Sequence, residues 1–437
     1  MLAILIYVLT GALALLLGFV FRPRQYPLKT ESDLSHSIPG IFHVYYASKF
    51  LHPVKHAAKN SGIEEMFRDM DVRFDCSPLT DKETITIKAI GDLMIRKDLV
   101  GEGSKHLWDE VGEYAFQGDI TIANMEFAIN EQWIIDKTIR FSIPLSYALP
   151  LLRDGRYGQF DAVSLANNHI NDSLKGGIAS TLQHLDHLGI KHAGAALTRD
   201  DVDSFPIFEA KGAKIALLAY TFGTNGIPLD RGNEHGANVI RFNALRNSDY
   251  DPSLIYHHID LARKRGANYI IAMNHWGIEF EYYPVKRIID RARDLMEKGI
   301  DLIIGHHPHI LKPVEKYTAA DGRTCLCLYS LGNITSQTLP RAVSNLAAIA
   351  GIRLEFGTNA SGVRIIRPTG LELMPTYFSY AKRRGRRDNR IFSVTRAQEL
   401  LSTNTLPDYY TTKDIAGIRK VAGEFQTYFR QRGVIVK

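Results

Sequence analysis

The residues best suited to chemistry in this chain are carboxylates, amides and imidazoles that directly follow short apolar runs. They are Gly91-Asp92, Asn124-Met125-Glu126, Asn167-Asn168-His169 with Asp172, Asn274-His275-Trp276-Gly277 with Glu279, Gly305-His306-His307-Pro308-His309 and Gly332-Asn333. Hard or borderline divalent cations take such oxygen and nitrogen ligands. No cysteine is among them, which argues against a site of the zinc-finger type. If the fold gathers these groups, the sequence predicts a site for one divalent cation or for a bridged pair.

Taken singly, each of these groups has an ordinary structural explanation. A Gly-Asp pair after a strand is common turn chemistry, and an Asn-Asn pair commonly caps a helix. A lone histidine is more often structural than a ligand. However, independent turn residues have no reason to place carboxylates after the first two runs and histidines after the next three. The set as a whole therefore favours a functional metal centre.

His169 and Asp172 are candidates for proton transfer. His169 adjoins Asn168 in the sequence and cannot easily bind the same cation with ideal geometry, so its ring is left to protonate a leaving oxygen. Asp172 follows three residues later and could bond the other ring nitrogen, which would fix the tautomer of His169. The alternative for Asp172 is a residue at a helix start, favoured there by the helix dipole.

Other chemically versatile residues are better explained by structure. Trp276 is expected to be a core or wall aromatic, while Glu279 and Tyr282 are candidates for the pocket rim. Cys325 and Cys327 alternate along an apolar run, so both side chains lie on one face of a strand and are expected to fill the core. The chain has 3 cysteines without regular spacing, which argues against a disulfide framework.

The elements that must position these groups are short strands separated by helices. The predicted strands are Thr84 to Ile90, Ile120 to Ala123, Ala162 to Ala166, Tyr269 to Met273, Leu302 to Ile304 and Leu326 to Leu331. The predicted helices are Lys175 to Leu188, Pro252 to Arg265 and Val285 to Lys298. This alternation predicts an α/β or α+β layered domain. In such sheets ligands bind beyond the carboxyl ends of the strands, so we expect the six strand ends to converge on one edge.

An uncharged apolar segment, Leu2 to Phe21, is long enough to cross a membrane as one helix. No basic residue precedes this segment, and no small-residue cleavage site ends it. Both features favour an uncleaved single-pass anchor over a removable signal peptide. Arg22, Arg24 and Lys29 follow the segment. The positive-inside rule alone therefore places the globular part in the cytoplasm, although long domains translocate regardless of flanking charge.

Composition narrows the classes of partner. The chain has 437 residues, is 45% hydrophobic and 23% charged, and carries a net charge of +6, which fits a globular protein without a nucleic-acid partner. The densest basic run is Lys382 to Arg387, with Arg390 close behind. Such a run is usually a solvated face. Because an anchor is predicted, contact with anionic lipid or an anionic polymer is the alternative.

Six motifs, in their order and spacing, resemble those of the capsule-synthesis CapA family, also called poly-γ-glutamate synthesis proteins, within the calcineurin-like metallophosphoesterase superfamily. They are GDLM at 91–94, ANMEFAI at 123–129, LANNHINDSLKGG at 165–177, HWGIEFEYYP at 275–284, GHHPHI at 305–310 and SLGNI at 330–334. The resemblance covers roughly residues 84–376 and implies a four-layer α/β/β/α sandwich, which would follow the single transmembrane helix predicted from the apolar segment. The expected division is a 1–22 anchor, a 23–82 connecting region, an 83–376 metallophosphoesterase-like domain and a 377–437 basic extension.

The resemblance also implies a ligand set. The implied ligands are Asp92 and His309 for a first cation, Asn168, His275 and His307 for a second, and Glu126 in the place of a bridging carboxylate. His306 is implied to support the ligands. The first motif of the superfamily is Asp-x-His, whereas this chain has Met94, so one ligand is missing, as is usual in the capsule branch. The donor set suits one or two ions of Mn, Fe or Zn.

The resemblance implies a capsule biosynthesis protein of the poly-γ-glutamate type with a metal-dependent, phosphoesterase-like hydrolase site, and the predicted apolar segment would make it membrane-anchored. Its globular part is expected outside the cytoplasm. Expected partners are the membrane, an anionic capsule polymer or a phosphoester substrate, and other capsule-synthesis membrane subunits. The alternative is a non-catalytic assembly or export subunit that binds the polymer.

Overall fold

The computed structural model describes residues 48–49, 51–95, 101–131, 141–336, 346–382, 390–397 and 410–437. The predicted transmembrane segment, Leu2 to Phe21, and most of the basic run, Arg383 to Arg387, lie outside these ranges. Within the ranges, no helix combines the length and apolar character needed to span a membrane.

Strands outnumber helices in the described part of the chain. The strands are β1 (Thr80–Leu93), β2 (Ile120–Met125), β3 (Ala128–Ile129), β4 (Ser142–Ile143), β5 (Arg153–Asp154), β6 (Gly158–Gln159), β7 (Ala162–Ser164), β8 (Lys191–Ala193), β9 (Ile207–Ala210), β10 (Ala213–Thr221), β11 (Tyr269–His275), β12 (Leu302–His306), β13 (Val314–Thr318), β14 (Thr324–Leu328), β15 (Leu346–Thr358), β16 (Arg364–Lys382), β17 (Arg390–Arg396) and β18 (Ile435–Val436). The α-helices are α1 (Ile63–Asp69), α2 (Gly112–Phe116), α3 (Leu145–Leu152), α4 (Leu174–Leu188), α5 (Ser253–Lys264), α6 (Lys286–Lys298) and α7 (Thr412–Glu424).

The first large sheet carries three of the six sets of polar groups identified in the sequence, namely those at or just beyond the carboxyl ends of β1, β2 and β7. In the described residues its strand order is β17-β16-β15-β1-β2-β7-β8, with β18 beside β16. Strands β1, β2, β7 and β8 are parallel, whereas the pairs β1–β15, β15–β16 and β16–β17 are antiparallel. The short strand β18 runs parallel to β16. The parallel half brings the carboxyl ends of β1 and β2 side by side, so Asp92 pairs with Asn124 across the ladder.

The second large sheet carries the other three sets of polar groups, at or just beyond the carboxyl ends of β11, β12 and β14. Its order in the described residues is β13-β14-β12-β11-β10-β9. The central strands β10, β11, β12 and β14 are parallel. The register pairs Thr221 with His275, and His275 with His306, at the carboxyl ends of three neighbouring strands.

The two sheets bury a shared apolar layer between them. Ile87 of β1 and Leu217 of β10 are fully buried in the same cluster. Helices cover the outer faces because each carries one apolar stripe at helical spacing. Helix α4 buries Ile178, Leu182 and Leu185 against the first sheet, and α6 buries apolar residues of its own against the second. The layers therefore follow the order α/β/β/α, which confirms the prediction of an α/β layered domain.

The predicted strands and helices are all present, with ends shifted by a few residues. The prediction that six strand ends share one edge is wrong in its geometry, because β1, β2 and β7 belong to the first sheet and β11, β12 and β14 to the second. Two packed sheets, rather than one, present their carboxyl ends to a common site. Cys325 and Cys327 are buried together in the cluster behind the second sheet, as expected of core packing.

Candidate metal centre

A close approach of two backbones sets the position of Asp92. The Asp92 N–H donates to the carbonyl of Gly332 at 2.8 Å, and the Ile334 N–H donates to the carbonyl of Asp92 at 3.0 Å. A Cβ atom on Gly91 would lie 2.1 Å from the Gly332 carbonyl oxygen, so only glycine fits before the aspartate. The end of β1 is thereby fixed against the loop that follows β14.

The Asp92 carboxylate is fully buried and heavily bonded. It accepts hydrogen bonds from Asn124 Nδ2 at 2.9 Å and from the His307 N–H at 3.2 Å, and its Oδ1 lies 2.8 Å from His306 Nδ1. Burial raises the pKa of this carboxyl, but hydrogen bonds from His306 and His309 outweigh burial and hold the pKa well below its ordinary value. Asp92 is therefore ionised at neutral pH, and its carboxylate oxygens can serve as cation ligands.

Glu126 has the opposite environment. It is fully buried, and neither carboxylate oxygen has a hydrogen-bond partner among the described residues. The nearest imidazole nitrogens are His275 Nε2 at 3.6 Å and His309 Nε2 at 3.8 Å from Oε1. Burial raises the pKa of Glu126 well above its ordinary value. A buried carboxylate without donors is costly, and a cation shared with the two imidazoles would remove that cost.

The donor atoms form three overlapping groups of the described residues. In each group one ligand atom per residue lies within 4.8 Å of the others. The groups are Asp92 with Glu126 and His309, Glu126 with His275 and His307, and Glu279 with His307 and His309. Because Glu126 belongs to the first two groups, its carboxylate lies between two possible cation positions. The orphaned carboxylate and the mixed oxygen and imidazole set fit a divalent cation.

Asn168 and His309 complete the predicted ligand set. Asn168 Oδ1 lies 2.9 Å from His275 Nε2 and is directed at the second group. His309 Nδ1 is 2.7 Å from Asn333 Oδ1, which leaves Nε2 facing Glu126 at 3.8 Å and Glu279 at 3.7 Å. Burial lowers the pKa of His309, but the charge of Glu126 and the contact with Asp92 outweigh it and raise the pKa to about 10.

Two histidines of the cluster have an unusual backbone conformation. His307 and His309 have φ angles of 91° and 55°, which are rare for residues with a side chain and persist only where the surroundings enforce them. The ring of Phe222 lies 4.4 Å from that of His307 and stacks on His275 at 6.1 Å with an interplanar angle of 9°. One wall of the cluster is thus aromatic.

Burial lowers the pKa values of His275 and His307 well below the ordinary value, so both rings are neutral and able to bind a cation.

The proton-transfer pair adjoins the cluster. His169 Nδ1 lies 2.7 Å from Asp172 Oδ2, and the same carboxylate accepts from the Phe141 N–H. Both side chains are buried. Helix α4 begins at Leu174, and Asp172 does not cap it with its side chain. These contacts favour the role of orienting His169 over the helix-start alternative.

The structure brings together all the predicted ligands, namely Asp92, Glu126, Asn168, His275, His307 and His309, and places His169 and Asp172 beside them. Their roles as ligands and catalysts stay predictions. His306 contacts Asp92 in the supporting position that was expected. Trp276 is buried against Phe242, as expected of a core aromatic.

Other positions differ from expectation or were missed. Tyr282 is fully buried and donates to Glu424 of α7, so it does not line a rim. Glu279, expected at the rim, offers a further carboxylate to the cluster. Asn225 contacts Asn168 and His169 and was not identified, because the Asn225-Gly226 pair signals only a turn.

Comparison with known proteins places these motifs in context. The model of a family described as bacterial capsule synthesis protein PGA_cap matches residues 86–338. The chain is 24% identical over 265 residues to the capsule biosynthesis protein CapA of Bacillus anthracis, covering 58% of this chain and 60% of that protein. It is 29% identical over 175 residues to the PGA biosynthesis protein CapA of Bacillus subtilis (strain 168), covering 40% of this chain and 42% of that protein. The chain thus spans about two fifths to three fifths of the length of these curated relatives.

Among solved structures, a putative 5'-nucleotidase from Staphylococcus aureus aligns with 78% of this chain and 59% of its own, at 12% identity and a TM-score of 0.38. That score is too low to establish a shared fold. The family match therefore rests on the sequence, and the layer order rests on the strands and helices described above.

Proposed function

Because the chain belongs to the bacterial capsule synthesis family PGA_cap, we propose that it is a membrane-anchored capsule biosynthesis protein of the poly-γ-glutamate type with a metal-dependent phosphoesterase-like site. The observation that carries the proposal is the orphaned Glu126 carboxylate, buried among imidazoles at the common end of two sheets. A structural carboxylate would be expected to find a donor, whereas a ligand needs its lone pairs free.

The residues that would hold cations follow from the three overlapping groups. Asp92, Glu126 and His309 would hold the first, while Glu126, His275 and His307, with the amide oxygen of Asn168, would hold the second. Glu279 lies 3.7 Å from His309 Nε2 and would add a further carboxylate to the cluster. When bound, divalent cations supply an activated water and neutralise charge on a phosphoryl oxygen.

The remaining chemistry belongs to the chain itself. Asp172 holds Nδ1 of His169, so Nε2, which lies beside Asn225, is the nitrogen left to deliver a proton to a leaving oxygen. The buried Asp172 carboxylate also stabilises the protonated ring. Phe141, at 4.2 Å between ring centroids, packs on the imidazole and restricts its rotation. His169 would therefore act as the general acid.

The setting of the site is part of the proposal. Residues 2–21 would anchor the chain in the membrane with the 83–376 domain outside the cytoplasm, where capsule polymer accumulates. The basic residues 382–390 would contact anionic lipid or the polymer. Other capsule-synthesis membrane subunits are the expected protein partners. The basic residues Arg22, Arg24 and Lys29, taken alone, favour the opposite orientation.

The test uses the full chain in detergent, loaded with Mn²⁺, and follows hydrolysis of p-nitrophenyl phosphate together with metal content. His169→Ala is expected to lower turnover by about 100-fold or more while cation content persists. Equal loss of the cation would demote His169 to a ligand. His187→Ala is the matched control, because His187 is exposed on α4, and it should retain both properties.

One observation favours the non-catalytic alternative. Met94 stands where the first motif of the wider superfamily has a histidine, and its backbone N–H and carbonyl are both bonded to Thr335 Oγ1, at 2.9 and 2.8 Å. Position 94 therefore cannot supply a nitrogen ligand. If the Mn²⁺-loaded chain hydrolyses no phosphoester but retains poly-γ-glutamate in a pull-down, an assembly or export role replaces the enzymatic one.

A further inference from the structure

A tight turn after β10 places one side chain against both halves of the candidate site. The Ile227 N–H donates to the Thr224 carbonyl at 2.9 Å, and Asn225 and Gly226 have φ angles of 53° and 74°. Two central residues at positive φ are typical of a type I′ turn, in which Asn-Gly is the favoured pair. Turn geometry explains the residue type at position 225, but it does not dictate what the side chain contacts.

The first contact is with Asn168. Asn225 Oδ1 accepts a hydrogen bond from Asn168 Nδ2 at 3.0 Å. An amide has its acceptor and its donor on opposite arms of a fork, so a partner that accepts from the nitrogen turns the oxygen the other way. Asn168 Oδ1 accordingly faces His275 Nε2 at 2.9 Å. This contact selects the amide orientation that offers oxygen, rather than nitrogen, to a cation.

The second contact is with His169. Asn225 Nδ2 lies 3.4 Å from His169 Nε2, while the other ring nitrogen is occupied by Asp172 at 2.7 Å. Asn225 Nδ2 can donate to Nε2 only while that nitrogen carries no hydrogen, so the contact is given up when Nε2–H protonates a leaving oxygen. At 3.4 Å this hydrogen bond is long and weak, so a leaving oxygen can replace it without a large penalty. One amide group thus faces the predicted ligand and the predicted acid together.

The tip of the turn is held in place from the other side. Asn171 Nδ2 donates to the carbonyls of Ile227 at 3.2 Å and Pro228 at 2.9 Å. Asn171 belongs to the same segment as Asn168 and His169. The turn and the site segment are therefore joined at two places, and Asn225 is held at a defined position relative to both partners.

We propose that Asn225 is a positioning residue of this site, orienting the Asn168 amide towards the cation and His169 Nε2 towards the leaving group. Its role toward the leaving group rests on the proposed function. Its role toward the cation does not require turnover. Partners that orient ligands in this way typically change metal affinity or activity by about 10- to 100-fold when removed.

The first experiment measures Mn²⁺ affinity of the full chain by titration calorimetry. Asn225→Gly keeps a residue that accepts positive φ and removes the amide, so affinity should fall about 10-fold. Asn225→Asp restores an acceptor for Asn168 Nδ2 and should retain the affinity of the unaltered chain. Equal affinities for the unaltered chain and Asn225→Gly would overturn the proposal.

The second experiment compares two substrates with different leaving groups. Phenolate needs a proton more than p-nitrophenolate does, so kcat of Asn225→Gly should fall about 10-fold more for phenyl phosphate than for p-nitrophenyl phosphate. Thr224→Val is the control, because it removes only the bond from Thr224 Oγ1 to the Ile227 carbonyl within the turn. The same losses in Thr224→Val would show that loosening the turn, rather than losing the amide, is the cause.

The two experiments also separate this inference from the proposed function. A chain that binds Mn²⁺ but hydrolyses neither substrate would refute the phosphoesterase, and the calorimetric comparison would still decide whether Asn225 orients Asn168. A chain that hydrolyses both substrates with unchanged ratios and unchanged Mn²⁺ affinity in Asn225→Gly would refute the positioning role alone.

Discussion

Individual side chains in the cluster are arranged at the expense of stability. Glu126 keeps two carboxylate oxygens without donors in the described structure, although it is fully buried. Leaving a buried polar group unsatisfied costs about 1–3 kcal/mol, and more for a charged group. A fold tolerates such a cost at a site selected for binding rather than for stability.

Glu126→Gln is expected to abolish the thermal stabilisation that Mn²⁺ gives the full chain, because the amide removes the charge shared by two of the donor groups. The cation-free variant should unfold at a temperature no lower than the cation-free parent, since the buried carboxyl group must either stay charged without donors or take up a proton, whereas the amide needs neither. Thermal unfolding with and without Mn²⁺ measures both effects.

Glu281→Gln is the matched control for this substitution. Glu281 is equally buried and only two positions from Glu279, but its carboxylate pairs with Lys49 at 3.5 Å. Its loss should lower stability and leave Mn²⁺ stabilisation intact. If Glu126→Gln retained the response to Mn²⁺, Glu126 would not be a ligand.

Lys312 makes the stability of the fold depend on pH. Its ammonium group is buried near Glu281 and Lys49, and burial lowers its pKa to about 7 from the usual 10.5. Between these two pH values the unfolded chain binds more protons at this position than the folded chain does. The contribution of Lys312 to stability therefore becomes more favourable as pH rises through that window.

Lys312→Met should remove this dependence. The free energy of unfolding of the unaltered chain, relative to that of the variant, should rise with pH from about 7 to 8.5 by roughly 1 kcal/mol per pH unit. Urea titrations of both chains at three pH values measure the difference, in which the titration of groups distant from Lys312 cancels. A difference independent of pH would show that Lys312 keeps an ordinary pKa.

At the scale of elements, the contact between the end of β1 and the loop after β14 holds the two sheets in register at the site. Gly91→Ala should lower the free energy of unfolding by about 3 kcal/mol or more, because a Cβ there would overlap the Gly332 carbonyl oxygen at 2.1 Å. Urea unfolding of the full chain measures this loss.

Gly176→Ala provides the contrast within the same chain. Gly176 is exposed within α4, and a Cβ there would meet nothing within 4 Å. Alanine should stabilise the helix by about 0.5–1 kcal/mol. A similar small effect at Gly91 would contradict the close approach of the two backbones.

The strands that could be predicted from the sequence are those that end in polar groups. Each predicted run, such as Tyr269 to Met273, combines β-branched or aliphatic residues with a ligating residue directly behind it. Strands β10, β15 and β16 were not predicted, although β16 runs from Arg364 to Lys382. They deliver no ligating residue to the site, so the pattern that identified the others was absent.

Strand pairing could not be predicted in the same way. An apolar run does not show which neighbour it will bond, so six runs were assigned to one edge instead of two sheets. The ligand residues were nevertheless identified, because the motifs depend on local order along the chain. Asn225 escaped notice because its importance comes from contacts with residues 56 and 57 positions away.

At the scale of the whole molecule, two expectations about membrane orientation conflict. The charges that follow the predicted anchor favour a cytoplasmic domain, whereas the proposed function requires the domain outside the cytoplasm. We expect the domain to lie outside the cytoplasm despite the basic residues Arg22, Arg24 and Lys29. An alkaline phosphatase fused after Lys437 should therefore be active in a bacterial host, and a green fluorescent protein fusion should be dark. The opposite pattern would place the domain in the cytoplasm and remove direct contact with external polymer.

The division of the candidate ligands between two sheets limits when an ion can be acquired. Asp92 and His306, which touch at 2.8 Å, are 214 residues apart in the chain. No nascent or threaded polypeptide can hold the ion before both sheets have met, because long-range contacts form late in folding. A chain that crosses the bilayer unfolded would arrive without its ion. The identity of the metal would then be set by the supply on the far side, where scarcity of one element and abundance of another would decide which ion fills the site.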